Sequence, residues 1–394
     1  MAGAGTKNEA DLIARHTNLL KLAGGGARDR VDRLARVLKA KILVKFSWNS
    51  GRLGNQIRSL AYAVGMADML GGSVVIPTPV NSSKRLSSIG LEPDPTRVGL
   101  FDVKRLLGGL PVAFASEIGV EDAMAARKAC KFGVLYGRLR GGRRYNDYAF
   151  EPRGPELVAL VKELGCTLLD LEGELATLPP FSAPICAWFQ RDLDRQLLYR
   201  HLVPASWVQE AVATRLAQVQ WARPFVGMHF RNHAQSMSRN LSVCVEGAKY
   251  HLEHATYPPA KAALLANVSC TMHPESIAKA WRMFGLSHDF SAMRGHWLLA
   301  SDRTDCTKAF VNDVRVFHKK VCPARWRLKE EHRATWVNIS AIELPNDTWH
   351  TSFSRYAEAV AEMWAMTQAD FFFGTFKSSL SDMVCGWREA RGPG

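Results

Sequence analysis

The sequence predicts an α/β protein of two domains, each built on a parallel sheet and facing a central cleft. Apolar strand-like runs alternate with helical stretches in both halves, and no internal repeat is visible. The 394 residues exceed the size at which one hydrophobic core keeps growing. The predicted divisions are a basic helical extension at 1–40, an N-terminal Rossmann-like domain at 41–220 and a C-terminal Rossmann-like domain at 221–394.

The first half is organised around one βαβ unit at residues 41–78. The run ILVKF predicts a buried strand, and the glycine-rich turn GRLGNQ follows it at 51–56. A helix with apolar residues on or near one face comes next, Gly71 and Gly72 end it, and SVVIP predicts a second strand. Such a turn directs backbone N–H groups and Arg52 at a ligand above the sheet. A plain βα turn that needs glycine for its geometry is the alternative.

Further elements are predicted in chain order around this unit. In the first half we expect helices at 9–22, 28–38, 156–164 and 192–217 (interrupted near Pro204), short strand and helix pieces at 98–107 and around 111–114, a basic loop at 137–144 and a strand at 184–190. In the second half we expect strands at 224–231, 296–302, 336–344 and 369–374, helices at 275–284, 304–310, 352–368 and 380–388, and an irregular stretch at 240–274.

The net charge of +14 raises the hypothesis of nucleic-acid binding. The basic residues are spread along the chain, with local concentrations at 28–41 and 138–144, and no RNA motif or zinc-finger spacing accompanies them. A basic surface suits a phosphate-bearing small molecule, an acidic glycan or an acidic protein equally well. We therefore expect no nucleic-acid partner. No apolar run reaches 18 residues, so no transmembrane segment is predicted.

Cysteines and glycosylation sequons bear on the compartment. The eight cysteines lie far apart without a CxxC pair, which disfavours a zinc site but permits disulfides. Sequons occur at Asn81, Asn240, Asn267, Asn338 and Asn346, where composition predicts about one. This excess favours the lumen of the secretory pathway (endoplasmic reticulum or Golgi). Residues 1–10 do not form a signal peptide, so either an anchor or signal is missing from this chain or the protein is cytoplasmic.

Polar side chains occur in four places at the predicted carboxyl ends of strands. They are residues 52–56, the pair His229 and Arg231, Asp302, and residues 375–379. Open α/β sheets bind ligands beyond the carboxyl ends of their strands, so the convergence of four sets carries more weight than any one. His229 and Arg231 alternate on one strand face and can reach the same ligand.

The chemistry of these side chains suits a phosphate-bearing ligand. Arg231 offers two forked donors and a permanent charge, which suits a departing diphosphate, although a salt bridge is the alternative. Hydroxyls at 375–379 precede a helix, where they bind phosphate or simply cap the helix. Asp302 accepts from a ribose or base, or caps the following helix. The Glu362 carboxylate accepts hydrogen bonds from guanine, or Glu362 is a solvated residue of a helix. His229 binds the same ligand as Arg231, or it is a hydrogen-bonded structural histidine.

The motifs GRLGNQ, VGMHFR, LLASD and EMWAMTQADFFFGTFKSS occur in this order. Together they resemble the GDP-fucose-dependent fucosyltransferases, most of all the protein O-fucosyltransferases, with kinship to the α1,6- and α1,2-enzymes. Those families share a GRFGNQ- or GGLGNQ-like turn, an H-x-R strand and an acidic residue eight positions before an A-D pair. Glu362 lies eight positions before Asp370. The resemblance covers most of 41–388.

The resemblance implies a GT-B fold and an inverting, metal-independent transfer of L-fucose from GDP-fucose to a hydroxyl. It makes Arg231 and Asn55 the catalytic residues, with Arg231 on the β-phosphate and glycosidic oxygen and Asn55 beside the reacting centre. The implied donor-binding set is Arg52, Leu53, Gly54, Asn55, His229, Phe230, Arg231, Asp302, Glu362, Thr375, Phe376, Ser378 and Ser379. Within it, His229 and Glu362 hold the guanosine, and Ser378 and Ser379 hold the diphosphate.

The acceptor expected first is Ser or Thr of a folded protein module, with a glycan second and an inactive binding module as a further alternative. The chain departs from the α1,6-enzymes, because HFRN lacks the second Arg and the Asp of their H-x-R-R-x-D pattern. Glu362 replaces the more usual Asp, and Lys377 stands where a smaller residue is typical. No carboxylate base is identified.

Overall fold

The chain folds as an α/β protein with a parallel sheet in each of two units. The computed structural model describes residues 25–47, 53–77, 100–134, 154–173, 196–218, 226–230, 245–246, 249, 253, 258–271, 297–301, 354–374 and 378–391. Unit 1 comprises Met1–Leu178 and Arg191–Val203, and unit 2 comprises Pro179–Gln190 and Pro204–Gly394. The resemblance assigns the acceptor side to 41–220 and GDP-fucose binding to 221–394, and this division stays a prediction.

Unit 1 contains a five-stranded parallel sheet in the order β3-β2-β1-β5-β4. Its strands are β1 Leu43–Phe46, β2 Ser73–Ile76, β3 Val112–Phe114, β4 Ala129–Val134 and β5 Leu168–Gly173. The strands predicted on either side of the helical stretch are confirmed as β1 and β2, and they pair in parallel. Strands β4 and β5 were not predicted, because ACKFGV and LLDLEG carry charged residues within short runs that lack the continuous apolar character of buried parallel strands.

The helices of unit 1 are α1 Gly25–Leu38, α2 Leu53–Leu70, α3 Val103–Gly109, α4 Val120–Ala125, α5 Gly154–Glu163 and α6 Gln196–His201. The apolar residues predicted on or near one face of α2 are buried, and burial extends around the helix from Leu53 to Ala67 except at Asn55. Its surroundings explain this, because α2 packs against β1 and β2 and also against α5 and α6. Helix α4 was not predicted.

Two glycines end helix α2, as the sequence predicts, for different reasons. Gly71 has φ 61°, a left-handed conformation that glycine adopts without strain. A Cβ on Gly72 would lie 2.5 Å from the backbone oxygen of Ile42. Only glycine therefore permits the close approach that leads the chain from α2 into β2.

Helix α1 covers one face of the sheet of unit 1. Its residues Leu34 and Val37 pack into a buried apolar cluster with side chains from β1, β2, β3, α4 and β5, namely Leu43, Val75, Ala113, Val120 and Leu168. This core confirms the helix predicted at 28–38, which begins three residues earlier. Burial of this apolar surface is the main contribution that joins α1 to the sheet.

Unit 2 contains a three-stranded parallel sheet in the order β7-β6-β8. Its strands are β6 Val226–Phe230, β7 Trp297–Ser301 and β8 Phe371–Gly374, and its helices are α7 Ser206–Gln218, α8 Pro259–Thr271, α9 Ser354–Met366 and α10 Ser379–Arg391. All three strands and helices α9 and α10 confirm the predictions. The irregular stretch predicted at 240–274 is wrong, because it contains α8. Pro258 and Pro259 at its start resemble a loop, but proline is favoured at the first position of a helix, which Pro259 occupies.

Close packing between α9 and β6 positions the central strand. A Cβ on Gly227 would lie 3.2 Å from the Cβ of Ala369 and 3.3 Å from the Cβ of Met366. The glycine in VGMHF therefore lets the end of α9 approach the strand. Helix α7 packs against the same helix α9.

Aromatic and guanidinium groups attach α10 to the start of β8. Arg388 donates to the backbone oxygen of Ala369 and, at 3.0 Å, to that of Asp370. The rings of Trp364 and Trp387 meet edge to face at 5.4 Å, and the Arg391 guanidinium lies 4.0 Å from the Trp364 ring centre. Burial lowers the pKa of Arg388, an effect that nearby Asp370 opposes.

A disulfide joins Cys130 of β4 to Cys166 at the start of the segment leading into β5. Cys385 of α10 is also disulfide-bonded. Over the part of the chain that the structure describes, no helix is both long and apolar enough to cross a membrane. The elements predicted at 9–22, 137–144, 184–190, 275–284, 304–310 and 336–344 lie outside the described residues.

Candidate functional site

His229 lies at the carboxyl end of the central strand of unit 2. It is the penultimate residue of β6 and stands in register with Ala300 of β7 and Gly374 of β8. Only 2 % of the residue is exposed. A polar ring at this edge of a parallel sheet occupies the position where such sheets bind ligands.

Two serines at the N-terminus of α10 lie beside the His229 ring. Its Nδ1 lies 2.8 Å from the Oγ of Ser381 and 3.4 Å from the Oγ of Ser378. Both serines are buried. The residues are far apart in the chain, and they meet because β8, the strand that precedes α10 in the chain, pairs with β6. The structure therefore brings together the predicted residues His229 and Ser378.

Ser378 also occupies the N-cap position of α10. Its Oγ accepts a long hydrogen bond of 3.5 Å from the backbone N–H of Ser381, and its carbonyl accepts from the N–H of Asp382 at 3.0 Å. The alternative of helix capping is thus confirmed for Ser378, and the same hydroxyl lies next to His229. Ser379 is the first residue of the helix and is buried.

The N-terminus of α10 gives this region its electrostatic character. The helix has 13 residues, and its first N–H groups carry a partial positive charge beside His229. Hydroxyls and N–H groups at a helix N-terminus bind phosphate and carboxylate oxygens. The buried Asp382 in the first turn is stabilised by the same field. Chemically, the arrangement is suited to holding an anion.

Glu362 lies on α9, the helix that packs against β6, and it is half-buried. Leu53, Gly54 and Asn55 instead belong to unit 1, where they form the first turn of α2. Leu53 and Gly54 are buried and Asn55 is half-buried, and the backbone oxygen of Asn55 accepts from the hydroxyl of Ser59 at 3.2 Å.

Five predicted site residues lie outside the described residues, namely Arg52, Arg231, Asp302, Thr375 and Phe376. Phe230 is the last residue of β6. Their roles, like the donor-binding and catalytic roles of the other site residues, stay predictions. Metal independence also stays a prediction, although the described residues contain no group of three His, Cys, Asp or Glu side chains that could hold a metal ion.

Ser381 is the site residue that sequence reasoning missed. It lies three positions after Ser378, and residues three apart share one side of a helix. The run SSLS at the start of the last predicted helix therefore contained the signal. The prediction stopped at Ser378 and Ser379 because these precede the apolar part of the helix.

The fold is similar to that of POFUT1, a GDP-fucose protein O-fucosyltransferase. The apo crystal structure aligns with a TM-score of 0.50 and 14 % identity over 89 % of this chain and 96 % of that chain. POFUT1 in complex with GDP-fucose aligns with a TM-score of 0.49 and 16 % identity, over 89 % and 95 % of the two chains. The fucosyltransferase NodZ from Bradyrhizobium aligns with a TM-score of 0.40 and 11 % identity, over 88 % and 92 %.

These solved structures are fucosyltransferases, the superfamily that the motifs indicated, and at this identity the POFUT1 likeness establishes a shared fold. No family model matches the chain, and a search of curated proteins finds no significant match.

Proposed function

We propose that the protein is an inverting, metal-independent glycosyltransferase that moves L-fucose from GDP-fucose to a hydroxyl acceptor. One observation carries the proposal: buried His229 and Ser378 meet at the N-terminus of α10, at the carboxyl end of β6. They do so in a fold shared with POFUT1. The ordered motifs of the sequence place the same two residues in the donor site.

The proposed reaction breaks the bond between the fucose anomeric carbon and the β-phosphate oxygen. Negative charge then develops on the departing GDP, and fixed donors aimed at that charge lower the barrier. Ser378, Ser379 and the first N–H groups of α10 supply such donors in this proposal, and Arg231 adds a forked, permanently charged pair. His229 and Glu362 hold the guanosine.

The acceptor hydroxyl attacks the anomeric carbon from the face opposite the leaving diphosphate, so the configuration inverts. As its oxygen forms the new glycosidic bond, the hydroxyl passes its proton to the departing diphosphate or to water. Asn55 orients the acceptor or the donor phosphate. The acceptor proposed first is a Ser or Thr hydroxyl of a folded, disulfide-bearing protein module, because the solved structure with the shared fold is a protein O-fucosyltransferase. A glycan hydroxyl is the second candidate.

The proposed location is the lumen of the secretory pathway. The disulfide between Cys130 and Cys166, and the disulfide-bonded state of Cys385, support it. Disulfides form and persist in oxidising compartments and are rare in the cytosol. Quantifying free thiols in protein purified without reductant tests this proposal, because a cytosolic protein would retain reactive cysteines.

Calorimetric titration with GDP, followed by mass spectrometry of an acceptor panel incubated with GDP-fucose, tests the function. We expect GDP binding and a product heavier by one fucose residue, both retained in the presence of EDTA. Arg231→Ala should lower kcat/KM by about a thousandfold, the cost of removing a main donor to the developing charge. His201→Ala, which removes a histidine from α6 of unit 1, is the matched control and should retain transfer.

Each contrary result has a distinct meaning. Absence of GDP binding by the wild-type protein would overturn the proposed function. GDP binding without transfer to any acceptor or to water would identify a binding module instead. Retained turnover in Arg231→Ala would remove that residue from the mechanism, and loss of activity with EDTA would overturn metal independence.

A further inference from the structure

We propose that Ser381 is a positioning residue that holds the His229 ring in the orientation needed for donor binding. The proposal rests on the proposed function, because it assigns His229 to the GDP-fucose site. It adds a residue that lies outside the motifs of the sequence and that is not itself proposed to touch the donor.

The distances favour Ser381 over Ser378 as the partner of the ring. The separation of 2.8 Å between Ser381 Oγ and His229 Nδ1 is that of a good hydrogen bond, whereas 3.4 Å to Ser378 Oγ is near the limit. Ser378 is also engaged in capping, since its Oγ accepts from the N–H of Ser381. The two serines therefore divide two tasks: Ser378 starts the helix, and Ser381 holds the ring.

The local geometry of α10 explains why this hydroxyl reaches the ring. Ser381 is the third residue of the helix. Side chains of a helix tilt toward its N-terminus, so a side chain in the first turn points back toward the segment before the helix. Here that direction leads to the carboxyl end of β6, where His229 lies.

Burial makes the hydrogen bond consequential. Ser381 and His229 are both buried, at 0 % and 2 % exposure. If the Ser381 hydroxyl is removed, water therefore does not readily take its place as the hydrogen-bond partner of His229. A neutral imidazole has one N–H and one lone pair, and a partner on Nδ1 influences which nitrogen carries the proton. Ser381 therefore sets both the orientation of the ring and the hydrogen-bonding character of Nε2.

The test is a double-mutant cycle on GDP affinity, measured by calorimetry with Ser381→Ala, His229→Ala and the double variant. We expect Ser381→Ala to weaken GDP binding by about five- to tenfold, the effect of one lost hydrogen bond. In the His229→Ala background the same change should alter affinity less than twofold, because a residue that acts through His229 has nothing left to position. Multiplicative effects of the two changes would overturn the proposal.

Two further variants separate positioning from a structural role. Ser381→Thr keeps the hydroxyl and should restore wild-type affinity within twofold, while Ser206→Ala at the exposed start of α7 should change nothing. In turnover assays Ser381→Ala should raise the KM for GDP-fucose with little change in kcat. The nitrogen chemical shifts of His229 should change in folded Ser381→Ala, and unchanged shifts would also overturn the proposal.

The outcomes distinguish this proposal from the function on which it rests. If the wild-type protein binds no GDP, the proposed function and the positioning role both fail. If the wild-type protein binds GDP and Ser381→Ala binds it equally well, only the positioning role fails.

Discussion

Buried polar clusters follow strands in both units, yet they differ in chemistry. In unit 1, Glu117 lies just after β3 and joins α1 to the sheet: it pairs with Arg33, accepts from Arg30 Nε at 3.3 Å and accepts from the Phe114 N–H at 2.9 Å. In unit 2, an imidazole and two hydroxyls surround the N-terminus of α10. The first cluster pairs a carboxylate with guanidinium groups, and the second places an imidazole and two hydroxyls beside the partial positive charge of a helix end.

Both clusters lie at the carboxyl end of a strand. Their different chemistry separates the structural cluster of unit 1 from the candidate binding site of unit 2. The Glu117 carboxylate uses both oxygens within unit 1, and Arg33 also donates to the Val112 carbonyl at 2.5 Å. A closed ion pair of this kind stabilises the arrangement of α1, β3 and α4. A polar cluster at the carboxyl end of a strand does not by that position alone indicate a ligand site. The charges and hydrogen-bond partners of its groups distinguish a structural cluster from a binding site.

The largest expected effect is on Glu117. Glu117→Ala should destabilise the protein by about 3–5 kcal/mol, because it leaves the buried Arg33 guanidinium without its counter-charge. Chemical denaturation measures this, and Glu121→Ala on the exposed side of α4 is the control, with a change within about 0.5 kcal/mol. GDP affinity should stay unchanged. A loss of GDP affinity in folded Glu117→Ala would contradict the division between the two clusters.

The next largest effect is expected at Arg388, whose hydrogen bonds stabilise the fold of unit 2 as those of Glu117 stabilise unit 1. Arg388→Ala should cost about 2 kcal/mol of stability, because it removes hydrogen bonds to the carbonyls of Ala369 and Asp370. Arg388→Lys should recover part of this, since lysine keeps the charge but loses the forked geometry. Unchanged denaturation midpoints would show that α10 is held chiefly by the contact of Trp387 with Trp364 of α9.

A smaller effect on stability and a specific effect on binding are expected for His229. His229→Ala should weaken GDP binding by about tenfold, because it removes one hydrogen-bonding group from the proposed site. The melting temperature should fall less than in Glu117→Ala. If His229→Ala instead unfolded the protein while GDP affinity of the folded fraction persisted, the unit 2 cluster would be structural as well.

The smallest effect concerns His201, a histidine of unit 1 outside both clusters. Burial first, and then the charges of Arg105 and Arg200, lower its pKa below the ordinary 6.5. The unfolded chain therefore binds the proton more readily, and this contribution to stability is present above pH 6.5 and lost as the pH falls through the lowered value. The effect is modest because His201 is only partly buried. Denaturation at several pH values should show a shallower slope below pH 6.5 in His201→Gln.

Sequence reasoning located the local elements that carry the candidate site. Strand β6, strand β8 and helices α9 and α10 were predicted from apolar runs and helical periodicity, and the structure confirms them. It missed β4 and β5, whose charged residues hide the strand pattern, and α8, whose prolines resemble a loop. In each case the packing of the surrounding chain outweighs the local pattern.

The sequence by itself determined the βαβ unit, the glycine stop after α2 and the serine-rich start of α10, because these depend on residues that are neighbours in the chain. Only the tertiary structure decided that β5 lies beside β1, which places Asp170 next to Lys45, with Oδ2 3.5 Å from Nζ. It also decided that Ser381 reaches His229 across 152 positions. Strand order and such distant contacts follow from how elements pack, and no local periodicity records that packing.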